Sequence, residues 1–153
     1  MKLTPEFREL LGLFNSFDVE YMVVGGYALA FHGHPRSTKD IDVFIHNTLS
    51  NAERVQAALG ASGFDGDEVS LSDLQDPDIV VRFGAPPNMV DILKRIDGVS
   101  FPEAFAPSTW INVDGLELRL ISRECLVRNK KASGRYQDLA DLEALGEIEP
   151  RDR

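Results

Sequence analysis

The sequence predicts a single α/β (α+β) domain in which helices flank a short mixed β-sheet. Three observations carry that prediction. Short apolar runs of strand length recur at residues 21–24, 40–45, 79–83 and 89–93. Asp114-Gly115, set between the strand-like runs 110–113 and 116–121, is a hairpin signal. Helical segments fall between these runs without strict alternation, as an α+β sheet allows. A chain of 153 residues suits one compact core. The domain is expected over residues 1–146, with 147–153 as a loose tail.

Taken in order, Thr4-Pro5 reads as a hydroxyl cap followed by proline at the first helical position. Phe7, Leu10, Leu11, Phe14 and Phe17 then recur at helical spacing, so the first helix is amphipathic and ends near Asp18. The strand 21–24 runs into Gly25-Gly26, and a short helix over 27–31 is closed by Gly33. A loop from Pro35 to Lys39 leads to the strand 40–45. A helix over 52–59 stops around Gly60 and Gly63. Residues 64–77 read as acidic and irregular, with at most a helical turn near 71–74. The strands 79–83 and 89–93 flank a Gly84-Ala85-Pro86-Pro87 turn. After the hairpin, Ser122 caps a helix to about Ala132, and residues 136–145 form the last one.

Composition narrows the function. The net charge of −9 argues against a general nucleic-acid coat. The basic residues cluster, however, at Arg119, Arg123, Arg128, Lys130, Lys131 and Arg135, opposed only by Glu124. Such a segment reads either as a solvated helix face or as a local grip on a phosphate-bearing ligand. No run approaches the ~20 apolar residues of a membrane span. Glu6 and Glu9 interrupt any signal-peptide pattern, and the single Cys125 fits a reducing cytoplasm. Cys125 itself reads as a small apolar helix residue.

The carboxylates are the informative feature. Alternate strand residues share a face, so Asp40 and Asp42 point together while Ile41 and Val43 point away. Two carboxylates on a half-buried strand repel and lose hydration, which raises one pKa or recruits a cation. Mg²⁺, with Mn²⁺ as an alternative, is the natural ion for carboxylates joined by phosphate oxygens. Asp91 repeats the anomaly inside Met89-Val90-Asp91-Ile92-Leu93; three converging carboxylates would suit a metal-assisted phosphoryl transfer. Gly25-Gly26 between strand and helix would let a ligand approach backbone N–H groups, at the same sheet end as Asp40 and Asp42.

Val24-Gly25-Gly26-Tyr27-Ala28 followed by Arg36-Ser37-Thr38-Lys39-Asp40-Ile41-Asp42 resembles the signature of minimal nucleotidyltransferases of the polymerase-beta superfamily. In detail, G-G-x-A with R-x-T-x-D-I-D is similar to the AbiEii-type branch, known for toxins of bacterial toxin–antitoxin systems. The match runs from about Val23 to Ile45, and Asp91 fits the third carboxylate. The resemblance implies a nucleotidyltransferase-type sheet and transfer of an NMP group from a nucleoside triphosphate to an acceptor hydroxyl. By the same resemblance Asp40, Asp42 and Asp91 are the catalytic, metal-holding residues, with Asp91 helping to activate the acceptor. Gly25 and Gly26 would contact the triphosphate. The branch's downstream basic residue and aspartate look like Lys130 or Lys131, and Asp138. Such toxins are usually much longer, so the acceptor would be small, supplied by a cognate partner, or bound across a homodimer. Antitoxin-type relatives are nearer in size but typically show Gly-Ser in place of Gly25-Gly26. Three readings follow: a toxin-like enzyme acting on RNA, an antitoxin-like enzyme that nucleotidylates a partner protein, and an inactive nucleotide- or partner-binding module.

Other residues read more plainly. Arg36 has two roles open to it, pairing with an aspartate or reaching a phosphate. His32 and His34 read as helix-end and loop residues, since a metal site would need further nitrogen or sulfur ligands. Tyr27, Trp110 and the nine Phe are expected in the core. Asp65-Gly66-Asp67-Glu68 lacks EF-hand spacing and reads as an acidic loop.

Overall fold

The computed structural model of the chain describes residues 2–63 and 69–150. The acidic loop expected at Asp65–Glu68 therefore lies outside the described residues. Thirteen elements follow in order: α1 Pro5–Ser16, β1 Tyr21–Val24, α2 Gly25–Phe31, β2 Ile41–Ile45, α3 Leu49–Ala61, α4 Leu71–Gln75, β3 Val81–Ala85, β4 Asn88–Leu93, α5 Phe101–Phe105, β5 Thr109–Val113, β6 Leu116–Leu120, α6 Arg123–Ser133 and α7 Tyr136–Ala144. The six strands form one mixed sheet in the order β3-β4-β2-β1-β6-β5. Pairs β2/β4 and β1/β6 are parallel, and the other three are antiparallel.

The central strands are buried because their side chains are apolar on both faces. Every residue of β1 is buried, and in β2 only Asp42 is partly open. On one side α1 sends Phe7, Leu10, Leu11 and Phe14 into the core and packs against α3. Thr4 caps α1 by accepting from the Phe7 N–H at 3.1 Å. Asp114 and Gly115 turn the β5–β6 hairpin with φ of 50° and 87°, the left-handed pair that this tight turn requires.

Several boundaries differ from the sequence reading. The second helix begins at Gly25, so the glycine pair forms its first turn rather than a link before it. Helix α3 starts at Leu49, because Thr48 accepts from the Asn51 N–H and caps it three residues earlier than expected. Strand β3 lies two residues later than expected, since Gly84 and Ala85 stay paired with Met89 and Asn88. Helix α5 was not anticipated; it is too short to show periodicity, though a Ser100–Glu103 capping box opens it.

Trp110 is a correction. It is 50% exposed rather than core, because edge strand β5 turns it to solvent opposite Arg119. The Arg119 guanidinium lies 5.2 Å from its ring centroid and 4.4 Å from that of Phe105. Phe17, at 37% exposed, is likewise outside the core, just past the end of α1. Tyr27 and Cys125 are buried as expected. His32 meets the Ile121 carbonyl at 2.7 Å, in keeping with its reading as a helix-end residue. Beyond α7, Glu147 accepts from Arg123 at 2.5 Å and Ile148 packs against the core. No helix among the described residues is long and apolar enough to cross a membrane.

Candidate functional site

Strand register assembles the carboxylates. Asp42 stands opposite Val24 of β1 on one side and opposite Asp91 of parallel β4 on the other. Asp91 in turn stands opposite Arg82 of β3. One rung across four strands thus reads Arg82, Asp91, Asp42, Val24. Partners in register share a sheet face, so both carboxylates and the guanidinium face the same way. Asp40, two residues before Asp42, joins them at the head of β2. Its Oδ1 accepts the Met89 N–H at 3.0 Å, and its Oδ2 accepts from Arg82 Nη2 at 3.0 Å. Arg82 Nη1 donates to Asp91 Oδ2 at 3.1 Å.

This rung is short of positive charge. Burial, then Asp91, then Asp40 push the Asp42 carboxyl up from 3.8 to about 6, against the pull of Arg135 and Lys130. Burial also raises Asp91, with Arg82 opposing it and Asp40 adding to it. A cleft of about 320 Å³ opens over Asp42, walled by Gly25, Arg95, Asp97, Asn129 and Arg135 among others. A larger hollow of about 500 Å³ lies between α1 and the β3–β4 turn. It contains none of the three carboxylates, so chemistry rather than size locates the site.

Both glycines sit where the protein closes on itself. Gly25 has φ 68°, and a Cβ there would stand 2.2 Å from Asp42 Oδ2. A Cβ on Gly26 would meet Thr38 Oγ1 at 3.0 Å and Arg36 Nη2 at 3.3 Å. The pair lets the start of α2 press against Asp42 and against the loop that delivers Asp40.

A second ionic group lies nearby. Lys130, 3% exposed, donates to Asp141 Oδ2 at 2.7 Å and lies 3.7 Å from Asp138 Oδ1. Arg36 clamps the same Asp141 through Nε at 2.9 Å and Nη2 at 3.3 Å, and Gln137 adds a third donor. Arg135 donates to Asp138 through its backbone N–H and Nε. Burial would raise the Asp138 carboxyl, yet the Arg135 and Ser133 hydrogen bonds and the Arg135 charge bring it below its usual value.

The structure therefore brings Asp40, Asp42 and Asp91 together, and gathers Arg36, Lys130 and Asp138 into the adjoining cluster. Of Arg36's two open roles, pairing with an aspartate is the one seen. Lys131 is exposed and joins neither group. The basic segment is not uniform: Lys130 turns inward, Arg123 and Arg128 pair with Glu147 and Glu103, and Arg119 stacks on aromatic rings. Sequence reasoning passed over Arg82 and Asp141, and read Arg135 only as one member of the basic cluster. Arg82 was visible as a lone charge in an apolar strand. Asp141 was visible three residues after Asp138 on one helix face.

Chemically, three carboxylates on one face with one bonded guanidinium form a donor set suited to a hard divalent ion. Among the described residues no three His, Cys, Asp or Glu side chains stand ready as a metal cluster. Arg82 instead spans Asp40 and Asp91.

A search of curated proteins finds no match. Among solved structures, a candidate nucleotidyltransferase from Thermotoga maritima is similar with a TM-score of 0.63 at 17% identity, covering 92% of this chain and 91% of its own. An antigenic nucleotidyltransferase-like protein from Paracoccidioides brasiliensis is similar with a TM-score of 0.53 at 17% identity, covering 95% of this chain and 76% of its own. At that identity the likeness shows a shared fold. Residues 4–153 match the model of the family described as "Nucleotidyl transferase of unknown function (DUF2204)", and the chain belongs to that family.

Proposed function

We propose that this protein is a metal-dependent nucleotidyltransferase that moves an NMP group from a nucleoside triphosphate to an acceptor hydroxyl. The single observation that carries the reading is the rung that sets Asp42 directly against Asp91, with Asp40 two residues away on the same face. Like charges placed together under partial burial are costly unless a cation or proton joins them. Asp40, Asp42 and Asp91 would hold Mg²⁺, or Mn²⁺ in its place. Such an ion, when bound, supplies charge neutralisation at the reacting phosphoryl group and acidifies the attacking hydroxyl.

The chain's own groups do the rest. Asp91, on the outer side of Asp42, takes the acceptor's proton as the hydroxyl oxygen bonds to the α-phosphorus. The bond from that phosphorus to its bridging oxygen breaks, and pyrophosphate departs with the electron pair. Gly25 and Gly26 bring backbone to the triphosphate side of the cleft. Arg135, exposed on the cleft wall, is the cation best placed to meet phosphate oxygens; Lys130 acts on Asp42 through space while bonded to Asp141.

The finer reading is an AbiEii-like, toxin-type enzyme with RNA as acceptor, working beside a cognate antitoxin. Incubation with each α-labelled nucleoside triphosphate, Mg²⁺ and a cell extract tests it. Label that RNase removes and protease spares supports RNA as acceptor; the reverse result replaces it with a partner protein. Asp42→Asn is expected to lower transfer by about a thousandfold or more with the fold intact. Equal transfer by that purified variant would sink the mechanism. No label above an Asp40→Asn/Asp42→Asn control would leave a binding module in its place.

A further inference from the structure

Arg82 is the one cation hydrogen-bonded to the carboxylate rung among the described residues, and its position is unusual for a structural pair. It projects from edge strand β3, passes over β4, and divides its guanidinium between two strands. Nη1 binds both oxygens of Asp91, at 3.1 and 3.3 Å, while Nη2 binds Asp40 at 3.0 Å. Asp42, beside Asp91 in the rung, takes no part in these bonds. The Arg82 side chain is 52% exposed, so half of it already faces solvent and its ion pairs break cheaply. Its two partners are those that any divalent ion at this site must share with Asp42. A planar fork that accepts two carboxylates matches phosphate oxygens equally well.

We infer that Arg82 is a displaceable counter-charge, which holds Asp40 and Asp91 until a divalent ion replaces it and is then released to a phosphate of the incoming nucleotide. This inference rests on the metal-dependent reading above. It makes cation and triphosphate bind together: alone, an ion must compete with the guanidinium, whereas an ion arriving with polyphosphate gives the guanidinium a new partner. The guanidinium keeps an anionic partner throughout, first the two carboxylates and then phosphate.

Two titrations separate this role from simple scaffolding. Binding of Mn²⁺ alone, followed by the resonance signal of the free ion, is expected to be about tenfold tighter in Arg82→Gln than in the unaltered chain, the size of one charge-assisted bond. The gain should vanish in Arg82→Gln/Asp42→Asn. With Mn²⁺ saturating, inorganic triphosphate should bind Arg82→Gln about tenfold more weakly, and Arg82→Lys should recover part of that loss. A residue that merely braces the sheet would not move the two affinities in opposite directions. Equal or weaker Mn²⁺ binding by Arg82→Gln overturns the inference while leaving the metal site itself standing. Tighter Mn²⁺ binding with unchanged triphosphate binding overturns the release to phosphate. Absence of Mn²⁺ binding by every variant, with circular dichroism unchanged, overturns this inference and the metal-dependent reading together.

Discussion

Two groups of charged side chains lie side by side in this fold, and they differ in balance. Where β2 runs beside β4, three carboxylates stand together with one bonded guanidinium, that of Arg82, which reaches Asp40 and Asp91 but not Asp42. Between α6, α7 and the loop before β2, two carboxylates share three cations, Lys130, Arg36 and Arg135. Asp138 and Asp141 are almost wholly buried, yet each has its countercharges in place. Asp42 is the reverse: its carboxyl is pushed up to about 6, chiefly by burial and by the neighbouring aspartates. The balanced cluster acts as a clamp, tying the C-terminal helices to the loop that leads into Asp40. The unbalanced one still wants positive charge, which a ligand can bring.

The largest effect expected from breaking that contrast lies in the clamp. Lys130→Ala leaves Asp141 and Asp138 buried with one cation fewer, and should destabilise the fold by about 3 kcal/mol. Arg36 and Gln137 still reach Asp141, which keeps the loss at the low end for a buried pair. Urea unfolding with an unchanged m-value measures it. A loss below about 0.5 kcal/mol would mean that the clamp is not a clamp.

The rung should respond with the opposite sign. Asp42→Asn removes a charge that the folded chain holds at a disadvantage, so without divalent ions it should stabilise by about 3 kcal/mol at neutral pH. The folded carboxyl titrates near 6 and an ordinary one at 3.8, so the folded state binds the extra proton between those values. Asp42's contribution to the stability of the unaltered chain therefore falls as pH rises from about 4 to about 6. The advantage of the Asn variant should be absent at pH 3.5, grow across that window, and stay level above it. Unfolding free energies at four pH values check the shape. An advantage independent of pH would remove Asp42 as the strained group.

Much of this was legible in the sequence, for reasons that differ by residue. Asp40, Asp42 and Asp91 stood out because strand periodicity fixes which side chains share a face, and carboxylates amid apolar residues contradict their surroundings. Their convergence depended on β2 lying beside β4, a pairing no local pattern encodes. The same limit hid Arg82, whose meaning comes from antiparallel register with Asp91. Tyr27 read correctly as core since a short helix between strands has few other residues to bury, while Trp110 failed because nothing marks β5 as an edge. Gly25 and Gly26 were read as room for a ligand. The structure adds that Asp42 and Thr38 occupy the space their side chains would need.

The smallest predicted effect sharpens the comparison most, because it separates neighbours that the sequence leaves equivalent. Lys130 and Lys131 are adjacent in the last turn of α6, but a helix turns about 100° between consecutive residues. One lysine is thereby sent into the clamp while the other is left exposed. Lys131→Ala should change stability by less than about 0.5 kcal/mol, as exposed substitutions do. If phosphate contact falls to Arg135, it should also change transfer less than about threefold, a shift of under 1 kcal/mol in the barrier. A tenfold loss of transfer with stability unchanged would assign the phosphate-binding lysine to Lys131. The basic end of α6 would then belong to the unbalanced cluster rather than stand apart from both.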